Sequence, residues 1–331
     1  MRVSARSAHA LRVAAAWLAA IVVACGGATG QAPATGQAPA GRGTPAAQTA
    51  PPPAFDGARA WAHLERQVEI GPRPSGSDAI AETRAYIREQ LAEVGVETTE
   101  QAFVAATPLG DVPMANVIGV VPGERPERIA LASHYDTKLF EELRFVGAND
   151  GGSSTAVLIE LGRSLAGRDN AFTIELLFFD GEEARRPEWR DPDNTYGSRH
   201  YVAAARKDGS LAGLRALVLL DMVGDRELRA RKELASTPWL VDLIWGAAAR
   251  LGHRAQFSTE YAAAISDDHV PFLQAGVPAV DIIDLETPTD RNSWHTAADD
   301  LENVSQKSLQ IVGDVVLAAL PDIEAHLRSA R

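Results

Sequence analysis

The stretch from Ala171 to Glu183, AFTIELLFFDGEE, restricts the fold more than any other part of the chain. From Phe172 to Phe179 it is an apolar run broken only by Thr173 and Glu175. Such a run, apolar on both alternating faces and of strand length, needs cover on two sides, as in the interior of a mostly parallel sheet. It ends abruptly in Asp180-Gly181-Glu182-Glu183. In open α/β sheets ligands collect at the carboxyl ends of strands. Two adjacent carboxylates there are costly unless a positive group sits between them or one keeps its proton. The stretch therefore reads as half of a metal site, to be completed elsewhere in the chain.

The same pattern recurs along the sequence. Helices are expected over 57–69 and from Ser77, a side-chain cap, to about Val94, where Gly95 stops the apolar stripe. Strands follow at 96–103 and 114–121, with Pro122-Gly123 as a turn, and a short strand at 129–133 leads into His134-Tyr135-Asp136. GANDGG leads into a helix over 153–165; after the opening strand comes a polar loop, 184–195, and a helix beginning near Gly197. A buried strand at 214–220 ends in Asp221. A helix at 238–251, a short one at 270–274, a strand at 278–283 and a final helix capped by Ser305 complete the order, with Pro321 expected to kink or divide that helix. Alternating strands and helices imply one α/β three-layer sandwich, residues 55–331, around a mixed, mostly parallel sheet.

The amino terminus has a different character. Arg2, Arg6 and Arg12 precede an apolar run, Val13 to Ala24, too short for a comfortable membrane span. Residues 1–25 thus read as an export signal. Its end, Val-Val-Ala-Cys25, resembles a bacterial lipoprotein signal, the alternative being an ordinary secretory signal cut at a nearby small residue. Cys25 is the one cysteine, so the folded body has neither an internal disulfide nor a cysteine nucleophile. Residues 26–54, rich in Gly, Ala, Pro, Thr and Gln and with TGQAPA repeated at 29–34 and 35–40, read as a tether. The expectation is export to the cell envelope, the membrane being met only through a lipid on Cys25. The net charge is −12, and −15 once the three arginines are removed. That balance excludes nucleic acid as a partner, because phosphate binding needs clustered positive charge.

Taken singly, the chemical residues have bland readings. An Asp at a strand end is usually a turn former, a lone His a satisfied core or surface group, and adjacent glutamates a solvated face. Together, His134 with Asp136, Glu182 with Glu183, Asp221, Asp150 in its Gly-rich turn and His295 after the last strand put mixed His and carboxylate groups on one sheet edge. That is a zinc-type ligand set. Asp150 is expected to have its carboxylate held by backbone N–H groups at the helix start.

These residues also lie in motifs. HYDT (134–137), GANDGG (147–152), DGEEA (180–184), YGSRH (196–200), LLDMVG (219–224), SDDHVPF (266–272) and WHT (294–296) resemble the animal-type glutaminyl-peptide cyclotransferases, which share a fold with co-catalytic zinc aminopeptidases. The resemblance implies Asp150, Glu183 and His295 as ligands of one zinc, with a fourth position open. It implies Glu182 as acid and base, Asp221 and Asp267 as further catalytic carboxylates, and Trp294 and Trp189 as walls of the substrate pocket. Trp189 lies one residue further from the glutamates than the family pattern, and an exposed loop aromatic is its other reading. The implied substrates are peptide or protein N-termini. Zinc would polarise the γ-amide carbonyl of an N-terminal glutamine, the α-amine would attack it, and Glu182 would carry the amine proton to departing ammonia.

The pattern has departures. GANDGGSS is closer to the aminopeptidases, Ser266 stands where a glutamine is expected, and Asp281 where a histidine is. His134 and Asp221 could complete a second metal site bridged by Asp150. In that rival, an exported two-zinc aminopeptidase, Glu182 activates water against a peptide bond. The Trp189-bearing loop, the doubled Asp of SDDH and the Trp before His295 favour the cyclase. A surface-tethered binding protein with an inactive enzyme fold is disfavoured by the intact ligand and base positions. No G-x-S-x-G or H-E-x-x-H is present to suggest a serine hydrolase or another zinc peptidase.

Overall fold

A computed structural model describes residues 54–285 and 293–329; the expected export signal, Cys25 and all but the last residue of the expected tether lie outside them. The first elements are α1 (Gly57–Ile70), α2 (Asp78–Glu93) and the hairpin β1 (Glu97–Thr107) and β2 (Gly110–Val121). Then β3 (Arg128–His134), α3 (Ser154–Ala166), β4 (Thr173–Phe179), α4 (Tyr196–Asp208) and β5 (Leu214–Asp221) alternate. They are followed by β6 (Ala230–Glu233), α5 (Pro238–Arg250), β7 (Phe257–Ala262), α6 (His269–Gln274), β8 (Ala279–Ile283) and α7 (Gln306–Ser329).

The main sheet has six strands in the order β1-β2-β4-β3-β5-β8. The strands β4, β3, β5 and β8 are parallel, and the β1-β2 hairpin closes one edge in antiparallel pairing. The opening stretch is thus an interior strand, as its composition demands. Its alternate residues serve two cores. Ile174, Leu176 and Phe178 join the core that includes residues of α1, α2, α3, α5 and α7, whereas Leu177 and Phe179 join Tyr201, Val202 and Phe272 of α4 and α6. Burying each such side chain contributes about 1.5–3 kcal/mol. Glu175, the charge inside the run, is neutralised in place: Arg128 and the Tyr201 hydroxyl donate to it at 3.1 and 2.6 Å.

Ser77 caps α2 as expected, its Oγ accepting the Ile80 N–H at 3.1 Å. Pro321 does not divide the last helix, which runs unbroken for 24 residues. Buried Leu320, Ile323 and Leu327 hold the segment beyond it to the core, so packing outweighs the one backbone donor that proline lacks. The short parallel pair β6-β7 was not foreseen; its strands are only four and six residues long. No helix among the described residues is long and apolar enough to cross a membrane.

β3 leads through α3 to β4 on one side, and β4 leads through α4 to β5 on the other. β5 leads on to β8, away from β3, so the onward connections of the neighbouring strands β3 and β5 leave in opposite directions, and the carboxyl end of the sheet opens between them into a crevice.

Candidate active site

The parallel strands bring their terminal residues to that crevice. β3 supplies His134 and Asp136, β4 supplies Asp180, Glu182 and Glu183, and β5 supplies Asp221. The turn Ala148–Ser153 carries Asp150, and the segments after β7 and β8 carry Asp267 and His295. A cavity of about 370 Å³ is lined by Asp150, Glu182, Glu183, Asp221, Asp267 and His295, together with Trp189, Trp294, Ser266, Ile283 and Leu285. Each candidate from the sequence lines this cavity except His134 and Asp136, which are both 1% exposed beneath it.

Asp150, Glu183 and His295 converge. His295 Nε2 is 3.1 Å from Glu183 Oε1 and 3.4 Å from Asp150 Oδ2, and one ligand atom from each lies within 4.8 Å of the others. Asp150 Oδ2 and Glu183 Oε2 are buried with no hydrogen-bond partner. Burial, with the neighbouring Asp150, pushes the Glu183 carboxyl up. Burial would lower His295, but the Glu183 and Asp150 carboxylates outweigh it and lift it to about 10. The pocket thus calls for positive charge, which a proton on His295 or a cation can supply. Two oxygens and one imidazole nitrogen, with orphaned lone pairs facing one point, fit zinc with an open fourth position.

His134 completes a second group. Its Nε2 lies 3.1 Å from Asp221 Oδ1 and 3.2 Å from Asp150 Oδ1. Gly151, at φ +71°, lets the turn pass over this ring: a Cβ there would stand 2.8 Å from His134 Cε1.

The expectation that backbone N–H groups hold the Asp150 carboxylate is corrected. The N–H groups of Asn149 and Asp150 donate instead to Asp299, at 2.6 and 3.1 Å. Asp150 has an extended rather than helical backbone, φ −76° and ψ 108°, and its carboxylate lies against the two histidines.

Glu182 is wholly buried apart from its cavity face, and its carboxyl is pushed well up. Burial is the main cause, opposed by His134 and reinforced by Asp267 and Glu183. Asp267 is itself lifted to about 6 by burial and by Asp221. Asp136 accepts from the backbone N–H groups of both glutamates, at 3.1 and 3.3 Å, and so fixes the DGEE turn. Trp189 is half-buried in a loop clasped by Asp193, which accepts from the Arg185 and Arg186 N–H groups and the Tyr196 hydroxyl. Trp294, 41% exposed, stacks on His295 with ring centroids 4.2 Å apart.

Several neighbours escaped the sequence reading. Lys138, 2% exposed, places Nζ 3.8 Å from Glu183 Oε2 and 5.9 Å from the Trp189 ring centre. Its position just after HYDT is the sole local signal. Arg73, fully buried, donates to the carbonyl groups of Tyr135, Val146 and Gly147 at 2.9, 2.5 and 3.0 Å. Below Asp267 lies a third group, Asp267, His269 and Asp281, in which both Asp281 oxygens and both His269 nitrogens lack hydrogen-bond partners.

Comparison with known proteins agrees with this arrangement. The family profile of peptidase family M28 matches residues 116–320. The bovine glutaminyl-peptide cyclotransferase is 28% identical over 291 residues, 77% of this chain and 79% of that protein. The crystal structure of a glutaminyl cyclase from an Acidobacteriales bacterium superposes with a TM-score of 0.78 at 37% identity, covering 86% of this chain and all of that one. A leucine aminopeptidase precursor from Bacteroides thetaiotaomicron gives 0.73 at 27% identity, covering 81% of this chain and 98% of that one.

Proposed function

The chain belongs to peptidase family M28, and from that premise we propose that it is a zinc-dependent glutaminyl-peptide cyclotransferase, converting N-terminal glutamine to pyroglutamate with release of ammonia. The observation that carries this reading is a single cavity joining the Asp150, Glu183 and His295 group, the buried Glu182 and two tryptophans.

Asp150, Glu183 and His295 would hold one zinc, whose chemistry is to polarise the γ-amide carbonyl. Ring closure forms the bond from the α-amine nitrogen to the amide carbon and breaks the bond to the amide nitrogen. One proton must travel from the first nitrogen to the second. Glu182 is the group for that transfer: burial and Asp267 raise its proton affinity toward working pH, where one carboxylate can both take and return a proton. Asp221 and Asp267 border the same cavity and would orient the amine. Trp189 and Trp294, with Ile283 and Leu285, form walls that exclude water and favour cyclisation over hydrolysis.

A second reading, a two-zinc aminopeptidase, draws on the His134, Asp150 and Asp221 group and on the aminopeptidase relative. It is the weaker, since the cyclase structure matches at 37% identity and the aminopeptidase precursor at 27%. Assays of a glutaminyl-aminoacyl fluorogenic substrate beside leucyl-nitroanilide, with zinc counted on the same preparation, separate the two. Cyclisation with about one zinc supports the first. Leucyl hydrolysis with two metals would refute it.

The protein's destination belongs to the same proposal. The basic and apolar residues 1–24 would direct export, and Cys25 would carry a lipid that tethers the enzyme to the envelope. Release of Cys25→Ser from membranes into the soluble fraction tests the anchor; retention would exclude it.

A further inference from the structure

Two of the three proposed zinc ligands come from segments far apart in sequence, Asp150 before α3 and His295 before α7. One buried side chain joins them. Asp299, 1% exposed, lies four residues after His295 in a turn closed by the Thr296 N–H to the Ser293 carbonyl (2.9 Å) and the Asp299 N–H to the Thr296 carbonyl (3.2 Å). Its carboxylate takes the Asn149 N–H on Oδ1 at 2.6 Å and the Asp150 N–H on Oδ2 at 3.1 Å. Its own carbonyl takes the Ala148 N–H at 3.3 Å. Three successive amides of the Asp150 turn thus end on one residue of the His295 turn. On the other side of the Asp150 turn, Arg73 donates to the Val146 and Gly147 carbonyls, and its guanidinium partly offsets the charge that Asp299 brings into the interior.

The geometry points to Asp299 as a positioning residue for the metal, a strut that sets the spacing between Asp150 and His295 while touching neither the metal nor the substrate. An ordinary turn former would satisfy the amides of its own loop. Asp300 does that, accepting the Glu302 N–H at 2.9 Å. Asp299 spends both carboxylate oxygens on a segment about 150 residues away. A buried carboxylate bound to several N–H groups is a rigid connector, because its alternatives leave either the charge or the amides without partners. Outer-shell contacts of this kind are worth about 10- to 100-fold in metal affinity.

The inference rests on the zinc assignment in the proposed function but not on the substrate, so the test reads metal and not turnover. Full-length wild type, Asp299→Asn, Asp299→Ala and, as a control in the same turn, Asp300→Ala are titrated with zinc against a chromophoric chelator. The same proteins are loaded with cobalt(II) for visible spectra and melted with and without zinc. Asp299→Ala should bind zinc about 10- to 100-fold more weakly. Its cobalt bands should shift, and its zinc-induced rise in Tm should shrink. Asp299→Asn, which keeps one acceptor, should fall between it and wild type, and Asp300→Ala should match wild type in metal affinity. If both Asp299 variants keep wild-type zinc affinity and cobalt spectra while their zinc-free Tm falls, the residue serves only the fold and the proposal fails. Normal zinc binding by wild type without cyclisation would overturn the cyclase reading and leave this one standing.

Discussion

Asp136 holds the backbone of Glu182 and Glu183 with one oxygen each, at 3.1 and 3.3 Å, so a residue at the end of β3 sets where the two glutamates at the end of β4 point. The two adjacent carboxylates of the DGEE turn are thereby made unequal. Glu183 faces Asp150 and His295, whereas Glu182 stands beside His134 and Asp267. The separate roles proposed for them would follow from the sheet register, in which His134 lies opposite Phe179.

Asp136→Asn places an amide donor against one of those N–H groups and leaves it buried without an acceptor. A loss of about 1–3 kcal/mol in stability is expected. Turnover should fall more than KM rises, because the backbone held by Asp136 carries the proposed base Glu182 and the proposed zinc ligand Glu183. Chemical denaturation and steady-state kinetics on the same preparation check both parts.

Glu182→Gln should lower kcat by about 10²- to 10⁴-fold with zinc still bound at the wild-type level. Loss of zinc in this variant, or surviving turnover, would remove Glu182 from its assigned role. In wild type, kcat/KM should fall as the pH drops through the raised value of Glu182, since the base must be ionised to take the amine proton.

Chelation of zinc removes the charge that Asp150 and Glu183 face, so Tm should fall and readdition of zinc should restore it. With zinc at about a thousand times its dissociation constant the difference corresponds to about 4 kcal/mol. His295→Ala should abolish most of this zinc-dependent gain in scanning calorimetry.

Trp189→Ala widens the cavity without touching a proposed ligand, and Trp294→Ala widens it while removing the ring stacked on His295. Each should raise KM by about tenfold, the worth of an aromatic contact of about 1.5 kcal/mol, with a smaller change in kcat. Trp189→Ala also uncovers Lys138 beside Glu183, so its effect should be the larger.

Asp180 contributes to the pH dependence of stability from outside the ligand set. Burial and the neighbouring Asp136 raise the Asp180 carboxyl to about 7 from an ordinary value near 4. A raised folded-state value means that its contribution is fully present below about 4 and is lost as pH rises through about 7. Asp180→Asn should therefore gain in Tm relative to wild type between those limits and level off above them. A constant Tm difference across the range would show that Asp180 does not ionise there.

Much of the fold could be read from the chain because strands and helices announce themselves locally. The run Phe172–Phe179 specifies an interior strand through its own composition, and Ser77 specifies a helix start through one hydroxyl. Boundaries such as the start of β2 at Gly110 were less visible, since pairing with β1 and not propensity extends the strand. The chemical groups at strand ends were legible for the same reason: sequence gives the strand, and the parallel sheet gives all the ends one side.

What local sequence leaves open is any partnership made across distance. Asp299 and Asp300 are adjacent and chemically identical, yet one closes its own turn while the other binds amides near residue 150. Arg73, Lys138 and the Asp267, His269 and Asp281 group are likewise ordinary polar residues until folding strips them of water. By itself the sequence determined the order of the main-sheet strands and their helices, the acids and histidines that meet at the sheet edge, and the family to which they belong. The tertiary structure alone decided which carboxylates face one another and which are held by backbone amides, because those interactions become strong only when solvent is excluded and distant segments are brought within a few ångströms.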